Sequence, residues 1–144
     1  MPTRSETMRN AFSKTGRNLA VAGLSALLFG ATAALAAGPA IPEGTGITSW
    51  AENGEGGIYL LQLYEGGVAA NQPPMIGEVL SDSNCSPDED NINHCENEIR
   101  FEDGTTLKGI NNHRMAVNRC LRRGEKVFVS HLEDGWVLVS TGAE

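Results

Sequence analysis

From residue 58 onward, short runs of alternating apolar and polar residues dominate the chain, and they predict strands. Residues 58–64, 76–80, 98–102, 105–110, 126–132 and 135–140 read this way. In 98–102, for example, Ile99 and Phe101 fall on one face and Arg100 on the other. Beyond residue 37 no 3.6-residue period is sustained, and one helical turn is expected near 114–119. Two Asp-Gly pairs, Asp103-Gly104 and Asp134-Gly135, separate adjacent runs. Asp-Gly suits a two-residue type I′ hairpin turn, whose central residues both take positive φ. Two hairpins plus one or two earlier strands predict an all-β domain over 58–144: a five- or six-stranded antiparallel sheet. A sheet that small must curl to bury its apolar face, giving an SH3-like or OB-like barrel or a compact sandwich. Residues 37–57, with Pro39, Pro42 and several glycines, read as an irregular leader or linker.

The first 36 residues have another character. Arg4, Arg9, Lys14 and Arg17 precede a charge-free Ala/Leu-rich run over 19–37 that ends Ala34-Leu35-Ala36-Ala37. A basic start, an apolar middle and small residues at the cut describe a secretory signal peptide over 1–36, cleaved after Ala36. The run is weakly hydrophobic for a membrane anchor, so no stable membrane insertion is expected after cleavage. The expected destination is the periplasm. The order of strands and turns that follows is similar to that of many small periplasmic β-barrels, a likeness of architecture that implies no activity.

Charge narrows the partners. Residues 37–144 hold seven Lys and Arg against seventeen Asp and Glu. Such a surface repels phosphate backbones, so nucleic acid is a poor partner, while cations or a basic protein surface are good ones.

All three cysteines, Cys85, Cys95 and Cys120, lie in the exported part. In an oxidising compartment two should pair and one is left over. A Cys95–Cys120 bridge is preferred, because it would tie the entry of the Asp103-Gly104 hairpin to its exit; Cys85–Cys95 is the main competitor. Pairing across a two-residue turn sets Arg100 against Leu107 and brings His94 and Cys95 near Asn112 and His113. The expected ligand cluster is therefore His94, His113, Met115, Cys95 and Cys120, with Cys85 as a further candidate. Imidazole and thiolate suit zinc or copper, and a thioether favours copper, so copper is the expected ion. The acidic segment 81–97, rich in Asp and Asn, does not match the spacing of an EF-hand from either Asp82 or Asp88. Phosphate-loop, dinucleotide and hydrolase motifs do not occur, so no enzyme is expected. Two functions remain: an exported copper-binding or copper-handling domain, and a disulfide-stapled interaction module using its acidic face.

Overall fold

The computed structural model describes residues 38–142, so the expected signal peptide and its cleavage site lie outside the described residues. Six strands follow one another: β1 (Ile58–Glu65), β2 (Met75–Pro87), β3 (Asn93–Phe101), β4 (Thr106–His113), β5 (Lys126–Glu133) and β6 (Trp136–Ser140). Every pairing is antiparallel, in the order β1–β4–β3–β2–β5–β6, and β6 pairs back onto β1. The sheet thus closes in a ring in which each of the six strands has two neighbours. The domain is all-β, as the alternating pattern predicts.

The ring sorts side chains by parity. Tyr59, Leu61, Val79, Ile99, Phe101, Leu107, Val127, Val129, Val137 and Val139 point inward and form the main core. Leu60 and Trp136 belong instead to a second cluster with Trp50 and Ile92. Residues 38–57 supply the cover for that cluster. They contain two single-turn 3-10 segments, Trp50–Glu52 and Glu55–Gly57. Trp50 stacks on Trp136 with ring centroids 5.7 Å apart and 15° between planes, and its indole N–H donates to the Pro39 carbonyl at 2.9 Å.

Both hairpins form, with turns of a different kind from the one expected. Phe101 N donates to Thr105 O and Gly104 N to Phe101 O, so residues 102–104 make a three-residue loop with Gly104 at φ 83°. Among the described residues the non-glycine ones at positive φ are Asn71, Asn84 and Asn91, so neither Asp103 nor Asp134 takes the left-handed conformation a type I′ turn requires. Asp103 instead accepts from the Thr105 amide at 2.9 Å and the Thr105 hydroxyl at 2.6 Å. The extra loop residue moves the β3–β4 register by one: Arg100 faces Thr106, and His94 faces Asn112.

The larger difference is in residues 81–97, which the polar sequence presents as a loop. They are mostly strand, and only 88–92 turns the chain. Asp88 builds that turn. Its Oδ1 accepts from the amides of Asp90 and Ile92, both at 2.9 Å, and Asn91 takes φ 60°. The Ile92 amide first, with help from His94 and the Asp90 amide, holds the Asp88 carboxyl below its ordinary value.

Candidate functional site

One end of the ring is apolar and the other is polar and sulfur-bearing. On β3 and β4 the inward positions change from Ile99, Phe101 and Leu107 to Cys95, Asn97, Asn111 and His113, all buried. The change on β2 is set by a bulge. Between Ser83 and Ser86 the register shifts, so Asn84 and Cys85 together oppose Cys95. Asn84 takes φ 53°, a left-handed conformation that Asn tolerates. Strict alternation from inward Asp82 would send position 85 outward; the extra residue returns it to the interior.

The consequence is a cross-strand Cys85–Cys95 disulfide, between residues 10 apart in sequence. This corrects the preferred Cys95–Cys120 pairing. The two hairpin strands β2 and β3 place Cys85 beside Cys95, whereas Cys120 arrives after β4, from a separate segment, and stays a half-buried free thiol.

Cys120 nevertheless reaches the bridge. The sulfurs of Cys85, Cys95 and Cys120 and a carboxylate oxygen of Asp82 all lie within 4.8 Å of one another. Asp82 Oδ1 accepts from Asn97 Nδ2 at 2.6 Å, and its Oδ2 lies 3.6 Å from Cys85 Sγ. An oxidised sulfur has no hydrogen to give, so that last approach is a contact. The Cys120 sulfur lies within the same 4.8 Å of the Asp82 carboxylate. Its backbone is clamped on both sides: Tyr59 O–H donates to Arg119 O at 2.8 Å, and Arg119 Nη1 donates to Cys120 O at 3.0 Å and to Glu125 Oε2 at 3.1 Å. Arg119 in turn holds the Glu125 carboxyl below its ordinary value. Burial, then the negative charge of Asp82, pushes the Cys120 thiol up to about 11. At neutral pH the thiol is therefore protonated, which keeps it from attacking the neighbouring disulfide rapidly.

The sequence-predicted ligands divide. Cys95 and Cys120 come together, joined by Cys85. His94 does not join them, because consecutive strand residues point to opposite faces. Its Nε2 meets Asp88 Oδ2 at 3.0 Å and its Nδ1 meets the Asn112 amide oxygen at 2.5 Å, so both ring nitrogens are engaged. Met115 lies past the end of β4 with its side chain exposed; its backbone N–H donates to Asn93 Oδ1 at 3.2 Å. His113 is fully buried, edge-on to Tyr59 at 6.4 Å between centroids, and its donor atoms are outside the four-residue group. Asp82 is the member that the sequence pattern missed: it reads as one of several acidic-loop oxygens, and only the bulge assigns it to the sulfurs.

Burial lowers the His113 pKa below its ordinary value of 6.5, against weaker opposing effects of the Asn111 carbonyl and Asp82. The folded state then binds fewer protons than the unfolded one in the window just below 6.5, so stability falls as pH drops through it. Urea unfolding of the parent between pH 7 and pH 5 is expected to show that loss, and His113→Gln to reduce it.

No protein-family model matches the chain, and no match is found among curated proteins or solved structures.

Proposed function

We propose that this chain is an exported, non-enzymatic small β-barrel domain that binds a soft metal ion at Cys85, Cys95, Cys120 and Asp82 when the bridge is reduced. The observation that carries the reading is the convergence of three sulfurs and one carboxylate within 4.8 Å. In a tetrahedral thiolate site, bonds of about 2.3 Å place the donors roughly 3.8 Å apart. The two bonded sulfurs need only separate by about 2 Å to reach that spacing. Three thiolates favour Cu(I); the Asp82 oxygen would complete a zinc site equally well. Copper thus remains the first choice, with a donor set that replaces His94, His113 and Met115 by Cys85 and Asp82. Export to the periplasm is supported by the basic-then-apolar first 36 residues and is consistent with a disulfide in the resting protein.

The test is anaerobic Cu(I) titration of the reduced protein against a competing chelator. One equivalent should bind, Cys120→Ser should weaken binding by about tenfold or more, roughly 1.4 kcal/mol, and Met115→Ala should leave it unchanged. Binding that is absent, or unaffected by Cys120→Ser, overturns the reading.

A second reading, as an interaction module, is favoured by one surface feature. Ile58 and Phe128 both pair with Ser140, and Phe128 also pairs with Ile76. The three large side chains are exposed, so apolar residues of β1, β5 and β2 share one row with Ser140 of β6, an exposed apolar patch of the kind protein contact surfaces often use. If this patch binds a partner, Phe128→Glu abolishes the complex and leaves Cu(I) affinity intact.

A further inference from the structure

The geometry points to Cys120 as a resolving thiol that takes over the disulfide of Cys85 when a small-molecule thiol opens the Cys85–Cys95 bridge. The three sulfurs are mutually within 4.8 Å, so either bonded sulfur is within a short side-chain movement of Cys120. Access differs between the two. Cys95 is fully buried on β3, whereas Cys85 sits half-buried on the β2 bulge. An incoming thiolate therefore reaches the Cys85 sulfur first.

Attack forms a bond from the external sulfur to Cys85 Sγ and breaks the Cys85–Cys95 bond, and Cys95 leaves as a thiolate that takes up a proton. Cys120 then gives its proton to solvent and attacks Cys85 Sγ, expelling the external thiolate. The product is a Cys85–Cys120 bridge with a free Cys95 thiol. Electrons balance, since one disulfide is present throughout and the external thiol is returned unchanged. The Arg119 and Tyr59 contacts that hold the Cys120 backbone keep the attacking sulfur beside its target.

The experiment uses oxidised protein, reduced glutathione as the thiol and a metal chelator throughout, so its outcome is independent of metal binding. Aliquots are quenched in acid and mapped as peptides without reduction. The parent should accumulate a Cys85–Cys120 peptide pair and little glutathione adduct. Cys120→Ser and Cys120→Ala, each checked for native fold by circular dichroism, should accumulate the adduct on Cys85 to several times the parent level. A urea-unfolded control should scatter the pairings among all three cysteines. The proposal is overturned if the native parent forms no Cys120-containing bridge, if adduct levels match in parent and variants, or if the adduct forms on Cys95.

Discussion

Asn53→Ala is expected to lower the stability of the domain by about 4 kcal/mol, a large part of the 5–15 kcal/mol that typically separates folded from unfolded chains. Asn53 is 1% exposed. Its amide nitrogen approaches Leu60 O at 3.1 Å, Asn111 Oδ1 at 3.1 Å and Asn112 O at 2.9 Å, while its Oδ1 accepts from Leu60 N at 2.7 Å. One side chain thus joins the 38–57 segment to β1 and to the polar end of β4. Alanine leaves several of those buried groups without a partner, and each such loss costs about 1–3 kcal/mol. Urea unfolding should show a lower midpoint at unchanged slope. Asn53→Asp is the discriminating companion. It keeps the acceptor for Leu60 N but sets a carboxylate against three oxygens, so it should be at least as damaging as alanine. A near-neutral aspartate would show that the donor contacts contribute little.

Removing the bridge by Cys85→Ala/Cys95→Ala should cost about 3 kcal/mol, because a disulfide over so short a loop restricts mainly the unfolded chain. The size follows from the 10-residue separation. Reducing buffer supplies the internal control. The parent should lose most of its advantage over the double variant there, leaving only the packing difference at Cys95, which is fully buried. If the gap persists after full reduction, packing around β2 and β3 rather than chain restriction accounts for the stabilisation. The same pair of variants bears on the proposed function, since Cys120 and Asp82 alone should hold Cu(I) far more weakly than the four-residue group.

The alternating runs were enough to place a strand in each of the six regions: four carry an inner pair of apolar residues, Tyr59 and Leu61 on β1, Ile99 and Phe101 on β3, Val127 and Val129 on β5, Val137 and Val139 on β6, while β2 and β4 each bury one, Val79 and Leu107. Both hairpins were legible too, since Asp-Gly marks the turn even where the loop is one residue longer than the two-residue form. What the pattern could not show is the continuation of β2 and β3 through residues 81–97. There the inward row is Asp82, Cys85, Cys95 and Asn97, so no apolar alternation exists to be read, and an acidic strand pair resembles an acidic loop. The cluster itself was legible only as a set of residue types. Which cysteine meets which depends on the β2–β3 register, which two single-residue shifts set, one between Val79 and Ser81 and one at Asn84–Cys85. With side chains alternating every residue, each single-residue shift exchanges the inward for the outward set. That is why the sequence by itself determined an all-β domain with three cysteines and their neighbouring histidines. The tertiary structure alone decided that Cys85 pairs with Cys95, that Asp82 and Cys120 join them, and that His94 turns away.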